Sequence, residues 1–167
     1  GSRHLMKPTF LVLALALPLI LAACCSPNED PPEVTAWTER TGAGIRDWSC
    51  MTSSSDGMKL AAAVSGGVIY TSTDGGATWT ERTAPGDRDW FGIASSSDGT
   101  KLAACSANGG YIYTSTDGGA TWTQRAGGVG WSWTSIASSS DGTKLAATRH
   151  NGSIYTSTDS GATWNPQ

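Results

Sequence analysis

An all-β chain built from repeated four-stranded antiparallel units is what this sequence predicts, and three observations carry that expectation. The stretch Ser-Thr-Asp-Gly-Gly-Ala-Thr-Trp at 72–79 returns at 115–122 and again, with Ser160 for one glycine, at 157–164. The tryptophans that mark the series, Trp37, Trp79, Trp122 and Trp164, are spaced by 42, 43 and 42 residues. Between them run short alternating segments rich in β-branched and aromatic residues, and no window shows convincing helical periodicity. A period of about 40–45 residues with four strand-like pieces per unit is the signature of β-propeller blades.

Residues 1–5 precede the first methionine and read as a vector remnant. Residues 6–23 read as an export signal. Lys7 is followed by an apolar run over 10–23. That run is shorter than the roughly 20 residues of a membrane-spanning helix and suits a secretory signal. It closes on Leu21-Ala22-Ala23-Cys24, which resembles the bacterial lipobox. The resemblance implies a lipoprotein, cleaved before Cys24 and lipidated on its thiol; an ordinary signal peptide that contains a cysteine is the alternative. Cys25 in the next position, where Asp would mark the inner membrane, favours an outer-membrane location by the same resemblance. Residues 24–33 are polar and proline-rich, and form a flexible tether.

Residues 34–167 form the three-blade repeat domain. Each blade opens on an inner strand that starts at Trp48, Trp90 or Trp133 and ends in Ser-Ser-Ser-Asp-Gly, a hairpin turn. A second strand, Lys-Leu-Ala-Ala, starts at Lys59, Lys101 or Lys144 and is small enough to pack closely. The third strand carries Ile-Tyr, the octapeptide follows, and its tryptophan starts the fourth. Residues 34–40 repeat that fourth strand ahead of the first full blade. In the octapeptide the aspartate side chain can accept backbone N–H groups, and glycine supplies positive φ or close approach. Threonine and tryptophan then restart a strand and bury an aromatic ring.

The defining positions are Ser72, Asp74, Gly76, Thr78 and Trp79; Ser115, Asp117, Gly119, Thr121 and Trp122; Ser157, Asp159, Gly161, Thr163 and Trp164. This pattern, Ser-x-Asp-x-Gly-x-Thr-Trp, resembles the Asp-box, the bacterial neuraminidase (BNR) repeat, over about residues 35–164. The resemblance implies a β-propeller in which these residues are structural. In sialidases of this type the Asp-boxes accompany an arginine triad, a Tyr–Glu nucleophile pair and a carboxylic acid/base, and here that set has no match. Arg40, Arg82 and Arg125 recur once per repeat, as do Tyr70, Tyr113 and Tyr155, which marks them as scaffold positions. Catalysis needs a convergent constellation, and duplicated residues do not supply one. No catalytic residue is assigned, and the chain is read as non-enzymatic, with a degenerate sialidase-like glycosidase a distant third. Similar repeats also occur in photosystem II assembly-factor-like propellers and sortilin-type receptors, which bind proteins.

Charge and composition remove other classes. Residues 1–23 hold Arg3 and Lys7 of the 11 basic side chains and none of the 14 acidic ones, so the rest carries nine against 14, near −5. A mildly acidic, lysine-poor surface argues against a nucleic-acid partner. Asp74, Asp117 and Asp159 suit backbone hydrogen bonding better than calcium, and His150 stands without a metal set around it. No metal and no cofactor are expected. Cys50 and Cys105 lie in different repeats, at positions where the others carry Gly, Ser, Ala or Thr. A disulfide between them is compatible with export; two separate buried thiols are the preferred reading.

The turns and Asp-boxes share one face and hardly vary between repeats, so a ligand is expected on the opposite face, where the loops differ. The loops there are 41–47, 83–89 and 126–132, with 64–67, 106–110 and 149–152. Candidate ligand-binding residues are Arg46, Trp48, Arg88, Trp90, Trp131, Trp133, Arg149 and His150. Trp48, Trp90 and Trp133 have two readings, packing between blades or an aromatic platform for a sugar ring or peptide. Trp131 has no counterpart in the other repeats and is the better candidate for an exposed ring. The function expected is a membrane-anchored binding or scaffolding module in the bacterial cell envelope, with a carbohydrate-binding lectin as the alternative.

Three blades do not close a ring, and an open stack exposes apolar faces and sheet edges. Self-association into a homo-oligomer is the simplest remedy, with a dimer of six blades favoured; an open three-blade array is the alternative. Two segments compete for the fourth place in the last blade: residues 34–40 of a neighbouring copy and the chain's own shortened C-terminal strand.

Overall fold

Alternation along each strand decides which side chains face which neighbouring blade. The computed structural model describes residues 38–107, 109–127 and 131–167, which form three four-stranded antiparallel blades in chain order. Blade 1 consists of β1 (Trp48–Ser53), β2 (Leu60–Gly67), β3 (Ile69–Ser72) and β4 (Thr80–Arg82). Blade 2 consists of β5 (Arg88–Ser95), β6 (Leu102–Ser106), β7 (Tyr111–Ser115) and β8 (Thr123–Gly127). Blade 3 consists of β9 (Trp133–Ser138), β10 (Leu145–Arg149), β11 (Ile154–Ser157) and β12 (Asn165–Pro166). The register repeats faithfully: Ala62 lies opposite Tyr70, Ala104 opposite Tyr113, and Ala147 opposite Tyr155.

The cores lie between blades. Trp90, Ile93, Leu102, Ala104 and Tyr113 of blade 2 pack against Ala61, Ala63 and Ile69 of blade 1. The other side of blade 2 offers Ala94, Ala103, Cys105 and Ile112 to Trp133, Ile136, Leu145 and Ala147 of blade 3. One side of a blade is therefore large and aromatic, and the other is small and aliphatic, which lets successive sheets approach. Gly119 marks one close approach: with φ at 88°, a Cβ there would stand 2.9 Å from Cγ2 of Thr71 in the preceding blade. Trp90 and Trp133 are fully buried, and rings of this size contribute roughly 1.5–3 kcal/mol each by leaving water.

One pairing goes beyond separate blades. Gly66 bends β2 at positive φ, and Ser65 and Gly67 then pair with Asp89 and Arg88 of β5. Blades 1 and 2 thus form a single eight-stranded sheet, while blade 3 is a sheet of its own.

The N-terminal end differs from expectation, and the C-terminal end follows one of the two readings. Residues 34–37 lie outside the described residues, as do the signal, lipobox and tether, and Thr38, Glu39 and Arg40 are not in a strand. Among the described residues no third strand stands before this copy, and it leads instead into a short 3-10 turn, Thr41–Ala43. That turn sits against the first Asp-box, since a Cβ on Gly42 would meet the Ala77 carbonyl oxygen at 2.8 Å. At the other end, β12 holds the fourth place of the last blade, and the Gln167 N–H donates to Ile154 O at 2.9 Å. The Gln167 amide also donates to Thr156 Oγ1 at 2.9 Å. It thereby replaces Arg82 and Arg125, whose Nε groups donate to Thr71 and Thr114 Oγ1 at the same distance.

Cys50 and Cys105 are free thiols, not a disulfide. Burial pushes the Cys105 thiol up to about 12 and raises that of Cys50.

Candidate functional site

Residues on the Asp-box side satisfy one another. Ser72 Oγ donates to Asp74 Oδ1 at 2.8 Å and accepts the Gly76 N–H at 2.9 Å. Asp74 accepts the Thr78 N–H at 2.9 Å and the Thr78 hydroxyl at 2.5 Å. Trp79 Nε1 donates to Gly76 O at 3.0 Å. The copies at Ser115, Asp117, Gly119, Thr121 and Trp122 and at Ser157, Asp159, Gly161, Thr163 and Trp164 repeat this network bond for bond. These donors hold the carboxyls of Asp74, Asp117 and Asp159 down to about 2, the threonine hydroxyl contributing most.

The Ser-Asp-Gly turns lie at the same end, because the Gly75, Gly118 and Ser160 N–H groups donate to the carbonyls of Met58, Thr100 and Thr143. Asp56, Asp98 and Asp141 each accept a serine hydroxyl from their own turn, at 2.6, 2.6 and 2.5 Å. Their carboxyls are lowered as well, with that serine the first cause. Six carboxylates are thus engaged in holding turns. Among the described residues, no group of three or more His, Cys, Asp or Glu could hold a metal ion.

At the opposite end, arginines lie over aromatic rings. The guanidinium carbon of Arg46 stands 4.6 Å from the Tyr70 ring centre, and that of Arg88 stands 4.8 Å from Tyr113. Each Nε is anchored on its own loop, Arg46 to Ala43 O at 3.0 Å and Arg88 to Pro85 O at 2.8 Å. Blade 3 reaches the same stack by another route. Trp131 stands where Arg46 and Arg88 stand in sequence, and its ring lies 5.5 Å from Tyr155 and 5.6 Å from Trp133. Arg149, from the end of β10, then covers Trp131 at 4.4 Å. In blade 3 a tryptophan thus takes the place of the loop arginine, and Arg149 supplies the guanidinium.

The tryptophans separate by position. Trp90 and Trp133 are buried between blades, and their Nε1 groups donate to Gly67 O at 2.9 Å and Gly110 O at 3.2 Å. Neither presents a surface platform. Trp48, the same position in blade 1, has no preceding blade among the described residues and is 38% exposed, edge-on to Tyr70 at 5.5 Å. Trp131 is half-buried under Arg149, and the His150 side chain is exposed. The named residues therefore do not converge on one pocket; they form one arginine–aromatic stack per blade.

Phe91 was not among the sequence candidates. It stands at the bulge of β5 and is 54% exposed. Ser49 and Thr134 at the equivalent bulges donate their hydroxyls to Ala63 O and Thr148 O. Alignment of Ser49, Phe91 and Thr134 was the available signal: one apolar ring where two repeats carry a hydroxyl.

The model of the BNR/Asp-box repeat family matches residues 70–81 and 113–124. The solved structure titled YCF48 bound to D1 peptide superposes with a TM-score of 0.61 at 21% identity, over 72% of this chain and 39% of that one. The GH74 enzyme of Niastella koreensis superposes at 0.58 and 24% identity, over 75% and 19%. The Cps50 (Swd1) β-propeller domain of Myceliophteria thermophila also reaches 0.61, at 9% identity over 74% and 39%. A likeness that survives such low identity marks the propeller fold and nothing narrower. The chain spans less than half the length of each of these structures. Comparison with curated protein sequences gives no match.

Proposed function

We propose, from a chain that carries BNR/Asp-box repeats and folds as β-propeller blades, that it works as a non-catalytic binding or scaffolding module, completed by copies of itself. The observation that carries this reading is the division of labour between the two ends. Six carboxylates at one end are consumed in holding turns, while the other end presents loops that differ from blade to blade. The chemistry open at that end is aromatic and cationic: Phe91, Trp131 and Arg149, with His150 alongside. Such groups suit an extended peptide with apolar and acidic side chains, and the similar YCF48 structure, which holds a bound D1 peptide, supports that choice. A glycan is the second reading, supported by the exposed Phe91 ring, on which a sugar could stack.

Parallel peptide and glycan arrays probed with the full chain separate the two. Peptide hits weakened at least tenfold by Phe91→Ala or Arg149→Ala support the first; glycan hits with the same sensitivity support the second. Turnover of a fluorogenic sialoside by the full chain would refute the non-catalytic reading.

The module is held at the cell envelope, on the outer membrane, through a lipid on Cys24. Labelled palmitate should enter the chain in a bacterial host and be lost in Cys24→Ser. Equal labelling of both would end the anchor proposal.

A further inference from the structure

The stack has two unlike ends, and each lacks what the other offers. Within the chain one junction is built twice, so every position in it can be checked against its two occupied counterparts.

Met51 of blade 1 is 62% exposed, whereas the aligned Ile93 and Ile136 are 7% and 8% exposed between blades. Ile154 of blade 3 is 53% exposed, whereas the aligned Ile69 and Ile112 are 0% exposed. Trp90 and Trp133 donate to the carbonyls of Gly67 and Gly110 in the blade before them. Among the described residues no blade precedes Trp48, and the residue aligned with Gly67 and Gly110 at the far end is Gly152.

The hairpin turns tell the same story. The Ser55 N–H donates to Ser97 O at 2.8 Å, and the Ser97 N–H donates to Ser140 O at 2.7 Å, a ladder that runs from blade to blade. Among the described residues Ser140 is its last rung. Lys59 covers the next turn so closely that a Cβ on Gly99 would stand 2.7 Å from Lys59 Cβ, and Lys101 covers Gly142 in the same way. The first turn is bare, with nothing within 4 Å of a Cβ on Gly57, and among the described glycines none lies under Lys144.

We infer that the chain joins head to tail with a second copy, the outward face of β9–β12 seating on the outward face of β1–β4. This deepens the self-association reading above and rests on it. Ile154 of one copy enters the cavity of about 350 Å³ bordered by Trp48, Met51, Ala62 and Trp79 of the other. Trp48 Nε1 donates to Gly152 O across the junction, the Ser140 N–H donates to Ser55 O, and Lys144 covers Gly57. A foreign partner would have to imitate this small-residue face, its ladder donor and its lysine; the chain already carries all three. A head-to-tail contact closes only if its rotation does. Two copies of three blades give six, inside the range of about four to eight that propellers use.

Native mass spectrometry of the full chain tests this, with Met51→Arg and Ile154→Arg beside the natural sequence. Both side chains are exposed in the single chain, so each variant keeps its fold, which an unchanged far-ultraviolet circular dichroism spectrum verifies. The natural chain should be a dimer, and each variant should lose at least nine-tenths of it. Loss in Met51→Arg with retention in Ile154→Arg would mean like faces meeting across a two-fold axis. That result overturns the head-to-tail junction and leaves self-association standing. Retention in both variants would overturn the junction too. A monomeric natural chain would overturn the junction and self-association together.

Discussion

Ser115 shows how much of the scaffold rests on single side chains. Its hydroxyl gives to Asp117 and takes the buried Gly119 N–H, so Ser115→Ala leaves a backbone donor without a partner. The expected cost is about 1–3 kcal/mol in urea unfolding. Ser160 is the converse case. It holds φ at 58°, where the other Asp-boxes place Gly75 and Gly118 at 66°. A side chain in that region costs roughly 1–2 kcal/mol, partly offset by the freedom glycine loses on folding. Ser160→Gly should therefore raise the urea midpoint, by roughly 0.5–1 kcal/mol of stability. The aspartates give a pH signature. Hydrogen bonds to their charged form hold the carboxyls of Asp74, Asp98, Asp117 and Asp159 at about 2, below the ordinary value near 3.9. The folded state then binds fewer protons than the unfolded one in this range. Their contribution is present above about pH 4 and is lost as pH falls through about 2. Urea midpoints should fall steeply between those values; a flat profile would contradict the assignment.

At the scale of the strand and blade, one position has two fates. Trp133→Ala empties a site sealed between blades and should cost about 3–5 kcal/mol. Trp48→Ala, at the open end, should cost clearly less within one chain, and its effect should grow with protein concentration if a second copy covers the ring. Chemical denaturation at two concentrations measures both. Most of this level was legible in the sequence, because a period of 42 or 43 residues, an invariant turn and an alternating strand point to the same blade. The pairing of Ser65 and Gly67 with β5 was not legible, since it depends on the bend at Gly66. Residues 38–40 misled, because a fourth-strand sequence needs a third strand to pair with. The stacks were half legible. Arg-Asp-Trp announced two of them, but Trp131 with Arg149 joins the loop before β9 to the end of β10 and shows only in three dimensions.

For the whole molecule, the two end faces dominate. If they meet in a ring, the melting temperature should rise with chain concentration, because association stabilises the folded state by mass action. A melting temperature constant over a hundredfold range would argue for an open stack. The repeated junction also bears on how such a chain changes over generations. Because both ends match the internal joints, a recombination slip of 42 or 43 codons would add or delete a blade without altering either terminus. Subunit number, rather than fold, would absorb the change: a two-repeat descendant could close as a trimer and a six-repeat one alone.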